Sequence, residues 1–185
     1  ETDIHRVRIV DHSTDLSTAK EIGSPPAEFA NIANRMSPAG ISMFYGAFDT
    51  ETAIKETYEP NTETKKAMCG IFHPVRALNV VDLSAVPGVP SLFSELERDN
   101  RRDIMFLHDF VTDFVKSIER NDRAHINYVP TQIVTEFFRY SLLANEEKHI
   151  DGVIYPSSKN PGNRAIVIFA DSNQCIDLDA TPHGD

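Results

Sequence analysis

The chain has 185 residues, of which 41% are hydrophobic and 25% are charged, and its formal net charge is −10. This length and balance indicate one soluble domain with a substantial core, and the acidic charge argues against nonspecific nucleic-acid binding. The longest apolar runs fall short of the roughly 20 residues that a bilayer span requires, and no signal peptide is visible. The two cysteines, Cys69 and Cys175, are expected to be free thiols in a reducing cytoplasm.

The first predicted element is a strand over Ile4–Val10, in which Arg6 and Arg8 project to one face. Two interpretations of that face remain open, a cleft lined by Arg6 or an exposed strand edge that carries charge. Residues 12–30 are polar and are predicted to form a loop with a short helical turn.

The segment Arg35–Glu56 is predicted to be a strand followed by a helix. Residues 37–40 (SPAG) favour a turn, because proline fixes φ and glycine tolerates positive φ. Residues Ile41–Phe48 are short, apolar and aromatic, which is typical of a buried strand. Asp49 is a good N-cap for the helix that follows, and Glu56 falls near the apolar stripe of that helix.

The residue types in this segment suit a particular kind of ligand. Arg35, Tyr45 and Glu56 supply a cation, an aromatic hydroxyl and a carboxylate. A dinucleotide such as NAD has an anionic pyrophosphate and, at the ribose carbon bonded to nicotinamide, a centre where positive charge develops. Each residue also has an ordinary interpretation: a solvated arginine, a core tyrosine and a glutamate that reaches solvent.

The remaining pattern predicts an α+β fold. Two further strands are predicted over Lys66–Phe72 and Ala77–Leu83, and a Pro/Gly linker follows at 84–90. The predicted helices after it are Ser91–Asn100, with Ser91 as cap, and the amphipathic Arg102–Arg120 and Thr131–Ala144. Strands over Gly152–Tyr155 and Ala165–Ala170 then flank the loop 156–164, which is either a surface hairpin loop or a loop that contacts a ligand.

Several separated motifs resemble the RES domain family. They are RMSPAG, FYGA and TAIKE within the segment 35–56, HRVRI at the N-terminus, YVPTQIVTEFFR at 128–139, and DGVIYPSSKNPGNRAIVIF at 151–169. The resemblance covers most of the chain in the expected order. It implies an ADP-ribosyltransferase-like fold, with a mixed sheet core and flanking helices, that degrades NAD with water or phosphate as acceptor. It also implies the toxin of a bacterial toxin–antitoxin or defence system.

The resemblance assigns roles to individual residues. Glu56 would be the catalytic carboxylate, and Arg6 and Arg35 would hold the phosphates or order the pocket. Tyr45 would pack against the nicotinamide ribose or ring. Ser157 would be the family serine, with the adjacent Ser158 as the alternative. In the same way, Tyr128 and Gln132 would border the cleft.

The expected organisation is a single RES-like domain over residues 1–185, excised from a longer chain with an extra N-terminal domain, since the sequence opens with Glu1. The expected partners are NAD as substrate, phosphate as acceptor and a cognate antitoxin, with no cofactor, no metal, no nucleic acid and no membrane. Two other functions remain open. One is an ADP-ribosyltransferase that modifies a protein target, and the other is a non-catalytic NAD-binding module.

Overall fold

The structure is a computed structural model that describes residues 2–58, 65–94, 98–116, 128–140 and 149–178. Its strands are β1 (Ile4–Asp11), β2 (Phe44–Ala47), β3 (Lys65–Phe72), β4 (Val80–Asp82), β5 (Gly152–Pro156) and β6 (Arg164–Ile168). They form one six-stranded sheet in the order β3-β1-β2-β6-β5-β4. Neighbouring strands are antiparallel except β4 and β5, which are parallel.

The described residues also form helices. They are α1 (Ala19–Ile22), α2 (Thr50–Thr57), α3 (Arg98–Val115) and α4 (Val129–Tyr140), with short 3-10 turns at Ala27–Phe29 and Ser172–Gln174. A mixed sheet with flanking helices confirms the predicted α+β class.

The sheet buries apolar side chains on both of its faces. Ile4 and Val7 are three residues apart in β1 and therefore point to opposite faces. Ile4 packs with Phe44 and Ile166 in one cluster. Val7 belongs to a larger cluster that includes Phe114 of α3. α3 thus packs on one face of the sheet, together with Ala53 of α2.

Two predicted strands are shorter in the structure. The predicted Ile41–Phe48 strand is confined to Phe44–Ala47. The predicted Ala77–Leu83 strand is confined to Val80–Asp82, because those three residues are the ones that pair with β5. The other predicted strands are confirmed within two residues at each end.

The prediction that Ser91 caps a helix is wrong. Residues 91–94 form a turn in which the Ser94 N–H donates to the Ser91 carbonyl at 3.2 Å, and the helix begins at Arg98. The Ser91 hydroxyl accepts from the Phe93 backbone N–H at 3.3 Å, so the serine side chain stabilises a local turn here and does not cap a helix.

The predicted helix Arg102–Arg120 is confirmed as far as Val115, where the observed helix ends, and residues 117–120 lie outside the described residues. The predicted helix Thr131–Ala144 is confirmed as far as Tyr140, and residues 141–144 lie outside the described residues.

Candidate active site

Glu56 lies in the last turn of α2, a helix whose start is fixed by a side-chain cap. The Asp49 carboxylate accepts hydrogen bonds from the Thr52 backbone N–H and from the Thr52 hydroxyl, both at 2.7 Å. Thr52 is fully buried, so the cap ties the first turn of the helix to the protein interior. The predicted N-cap is confirmed. The half-buried Glu56 is consequently carried on a short helix with a defined beginning.

The Glu56 carboxylate is held by a serine from the β5–β6 loop. The Ser157 hydroxyl donates to Glu56 Oε1 at 2.5 Å, and Ser157 is only 4% exposed. The backbone N–H of Asn160 donates to the same serine oxygen at 2.9 Å, which leaves the hydroxyl hydrogen to point at the carboxylate. Of the two adjacent serines, Ser157 is thus the one that contacts Glu56. The Ser158 hydroxyl is buried without a hydrogen-bond partner among the described residues.

The same loop is fastened to α2 by two further side chains. The buried Asn160 amide donates to the Thr52 hydroxyl at 2.7 Å and accepts from Lys55 Nζ at 3.0 Å. The Lys159 ammonium group donates to the backbone carbonyls of Glu56 and Tyr58, at 3.0 and 3.1 Å, at the end of the helix. These bonds join residues more than 100 positions apart and fix the distance between Ser157 and Glu56.

Arg35 contributes a cation whose guanidinium group has no hydrogen-bond or ion-pair partner in the described parts of the chain. Its backbone is held by α4, because the Thr131 hydroxyl donates to the Arg35 carbonyl. The buried Gln132 amide donates to the carbonyls of Asn34, at 2.8 Å, and Ser37, at 3.2 Å. The segment is therefore fixed while the charged end of the Arg35 side chain remains available.

Tyr45 lies at the centre of β2 and its hydroxyl is 2.9 Å from the Ser37 hydroxyl. Burial raises the pKa of Tyr45 to about 12, against the hydrogen bond from Ser37 and the charges of Arg6 and Arg35, which lower it. The hydroxyl is consequently neutral at physiological pH. It can take part in hydrogen bonds and packing, and it is not a ready base.

Arg6 contacts the backbone of β2 at Tyr45. Its Nη1 donates to the Tyr45 backbone carbonyl at 2.7 Å, and its Nε is buried without a partner among the described residues. Burial, with a smaller contribution from Arg8, lowers the pKa of Arg6 to about 10, so the side chain is still a cation at neutral pH. The guanidinium also lies over the Phe44 ring, 5.9 Å from its centre. Arg6 thus orders the pocket directly through the backbone of β2.

A second tyrosine, Tyr155, lies in the same core cluster as Tyr45. It lies on β5 and is 5% exposed. Burial raises the pKa of Tyr155, and the Glu56 carboxylate and Tyr45 raise it further, whereas Arg35 and Arg6 act in the opposite direction. Tyr155 also lies two residues before Ser157, the residue that holds Glu56.

The structure therefore brings the sequence-predicted site residues into one neighbourhood. Glu56 meets Ser157, Arg6 meets Tyr45, and Arg35 acts electrostatically on Tyr45 and Tyr155. The chemical roles assigned to these residues stay predictions.

Sequence reasoning missed Tyr155 and gave Asn160 and Lys159 no role. One signal for Tyr155 was available. Residues two apart in a strand share a face, so Tyr155 continues the line of side chains that leads to Ser157. The roles of Asn160 and Lys159 have no local signal, because their partners lie on α2. Gln132, which the family resemblance places at the cleft border, acts here on the backbone that carries Arg35.

No group of three metal-ligating side chains is gathered anywhere in the described ranges. Cys69 and Cys175 are separate free thiols, and the imidazole of His73, which follows Cys69 at a C-x3-H spacing, lies 3.4 Å from Asp3. None of the helices within the described residues has the length and apolar character needed to cross a membrane.

The chain was compared with protein families, curated proteins and solved structures. The family model described as RES domain matches residues 4–185. No curated protein and no solved structure gives a significant match.

Proposed function

The chain belongs to the RES domain family, and we propose that it degrades NAD by breaking the bond between nicotinamide and ribose. The observation that carries the proposal is the grouping of one carboxylate with two guanidinium groups that have no carboxylate partner in the described residues. Glu56 is hydrogen-bonded to Ser157, and Arg6 donates to the Tyr45 carbonyl. Arg35 lies two residues before Ser37, whose hydroxyl is 2.9 Å from the Tyr45 hydroxyl. A dinucleotide offers the matching charges, a pyrophosphate for the cations and a cationic reacting centre for the carboxylate.

In the proposed reaction Glu56 stabilises the sugar cation. Cleavage of the nicotinamide–ribose bond leaves an oxocarbenium-like carbon, and a carboxylate beside it lowers the energy of that transition state, as carboxylates do in glycoside hydrolysis. The bonding electrons leave with the pyridinium nitrogen, so nicotinamide departs as a neutral molecule and no general acid is needed. Ser157 holds Oε1 of Glu56 by a hydrogen bond, and Oε2 is left to face the sugar.

Arg35 is proposed to bind the pyrophosphate. A guanidinium presents paired donors in a fixed geometry that matches phosphate oxygens. The Arg35 guanidinium has no partner among the described residues, while its backbone is fastened to α4 by Thr131 and Gln132. Arg6 already donates to the Tyr45 carbonyl, so its proposed role is to order the pocket and to add positive charge to it.

The acceptor is water or phosphate. With water, the products are ADP-ribose, nicotinamide and a proton. With phosphate, the oxygen of the phosphate attacks the ribose carbon and gives ADP-ribose 1″-phosphate and nicotinamide. Ser157 is not proposed as a nucleophile, because its hydroxyl holds the Glu56 carboxylate, which the proposal assigns to the sugar cation, and its other contact is a backbone N–H.

The proposed biological role is that of a cytoplasmic toxin with a cognate antitoxin, as the family resemblance implies. NAD is proposed as the substrate and not as a resident cofactor. The net charge of −10 would favour an antitoxin segment that carries basic residues.

The test is product analysis of NAD incubated with the purified protein, by NMR or mass spectrometry, with and without phosphate. Release of nicotinamide together with ADP-ribose or its 1″-phosphate supports the proposal and identifies the acceptor. Label that appears on an added protein, with slow release otherwise, favours ADP-ribosyl transfer. Binding of NAD with no loss of NAD supports a non-catalytic module and contradicts the proposal.

A further inference from the structure

Tyr155 is a buried residue whose hydroxyl has no hydrogen-bond partner among the described residues. Tyr45, its neighbour in the same cluster, is different, because the Tyr45 hydroxyl meets the Ser37 hydroxyl at 2.9 Å. The Tyr155 hydroxyl is not among the fully buried atoms that lack a partner, so it keeps some accessible surface although the residue is 5% exposed. A hydroxyl that is accessible beside a candidate site and is not used by the protein is open to a ligand.

The surroundings of the hydroxyl restrict what that partner is. Burial and the Glu56 carboxylate both raise the pKa of Tyr155, so the hydroxyl keeps its proton across the physiological range. A protonated hydroxyl that has no acceptor among the described residues can donate a hydrogen bond to a ligand. The matching ligand group is an oxygen acceptor, which a ribose hydroxyl or ring oxygen supplies.

We propose that Tyr155 is a substrate-binding residue whose hydroxyl donates a hydrogen bond to an oxygen of the ribose that Glu56 faces. This inference rests on the proposed function, since it takes NAD as the ligand. It goes further in assigning a second contact to the reacting sugar. Tyr155 lies two residues before Ser157, which holds Glu56, so the side chains at these two positions project to the same side of the chain.

The experiment replaces Tyr155 by Phe, which removes the hydroxyl and keeps the ring. Because the hydroxyl has no partner in the free protein, we expect the thermal midpoint of Tyr155→Phe to equal or exceed that of the unchanged protein. NAD affinity, measured by calorimetry in a Glu56→Gln background so that NAD persists, should fall by about 2- to 10-fold on adding Tyr155→Phe, the range for one neutral hydrogen bond. The Gln side chain keeps an oxygen that can accept from Ser157.

Tyr45→Phe is the matched control, because it removes a hydroxyl that does have a partner and should lower the thermal midpoint. If Tyr155→Phe lowers the midpoint as much as Tyr45→Phe does, the Tyr155 hydroxyl has a structural partner and the inference is overturned. If Glu56→Gln binds NAD and adding Tyr155→Phe leaves the affinity unchanged, the inference fails while the proposed function stands. If Glu56→Gln does not bind NAD and the unchanged protein does not consume it, the proposed function fails and the role of Tyr155 falls with it.

Discussion

At the scale of single residues, the two arginines differ in how much of their bonding capacity the protein uses. Arg6 is committed to the Tyr45 carbonyl and to the Phe44 ring. Arg35 has a fastened backbone and a guanidinium without a partner among the described residues. A cation in a partly buried position with no counter-charge is costly, and an anionic ligand removes that cost. Arg35 is therefore the better candidate for direct phosphate contact.

Replacing Arg35 by Ala should weaken NAD binding by at least about tenfold, because a charge-assisted hydrogen bond contributes roughly 1.5–3 kcal/mol. The change should be seen in the dissociation constant, measured by calorimetry in a Glu56→Gln background. Arg35→Lys should recover part of the affinity, since it keeps the charge and loses the paired donors.

Arg102→Ala is the control for this change, because it removes the same charge from an exposed position on α3. We expect it to bind NAD normally. An equal loss of affinity in both variants would show a general charge effect, and no loss in Arg35→Ala would contradict the role assigned to Arg35.

At the scale of elements, the site depends on the contact between α2 and the β5–β6 loop. Asn160 bonds Thr52 and Lys55 with its side chain and Ser157 with its backbone N–H. The loop therefore sets the position of the serine that holds Glu56. A hairpin loop rich in Ser, Asn and Pro has become an ordered part of the site through these buried bonds.

Replacing Asn160 by Ala should lower the free energy of unfolding by about 1–3 kcal/mol, the cost of losing buried hydrogen bonds. It should also lower kcat more than it raises KM, because the contacts that fix the distance between Ser157 and Glu56 are lost. Chemical denaturation and steady-state nicotinamide release measure the two effects.

Asn173→Ala is the matched control, because Asn173 is exposed and its described hydrogen bond uses only its backbone N–H. Unchanged stability in both variants would show that the amide of Asn160 does not fasten the loop.

The sequence predicted an element correctly where the residues that determine that element are close together in the chain. The strand Ile4–Asp11 and the Asp49 cap of α2 follow from residue types within a few positions of each other. The length of β4 could not be predicted, because it is decided by pairing with β5, about 70 residues further along the chain. The bonds of Asn160 and the position of Tyr155 also depend on which strands become neighbours, and no local pattern encodes that order.

At the scale of the whole molecule, the strand order brings distant segments together. β2 lies between β1 and β6, and β6 lies next to β5, so Arg6, Tyr45 and Tyr155 come from three of the four central strands of the sheet. Glu56 lies on α2, the helix that follows β2, and Arg35 lies in the segment that precedes β2. A chain with a net charge of −10 thereby has Arg6 and Arg35 near β2, where the proposed pyrophosphate would bind.

The stability of the whole domain should depend on pH through the pair between Arg76 and Asp151. The Asp151 carboxylate accepts from Arg76 and from the Asn79 backbone N–H, and so joins the segment before β4 to the start of β5. The hydrogen bond from Arg76 lowers the pKa of Asp151 below its ordinary value of 3.8. The stabilisation is then complete above that ordinary value, and it is lost as the pH falls through the lowered pKa of the folded state.

Asp151→Asn should therefore reduce the free energy of unfolding by about 1 kcal/mol at neutral pH, a value that allows for solvent screening of the pair. The difference from the unchanged protein should disappear in acid, as measured by urea denaturation over a pH series. Asp103→Asn, an exposed position on α3, is the control and should show little difference at any pH. A difference for Asp151→Asn that persists unchanged in acid would contradict this account.

The most direct test of the central claim is the rate of nicotinamide release from NAD by the unchanged protein and by Glu56→Gln. The account predicts release by the unchanged protein and a loss of at least about a hundredfold in kcat for Glu56→Gln, the scale for removing one preorganised electrostatic group. The thermal midpoint of the variant should be preserved, and Glu51→Gln, on the exposed side of the same helix, should be near normal. Near-normal turnover by Glu56→Gln, or no nicotinamide release by the unchanged protein, would contradict the account.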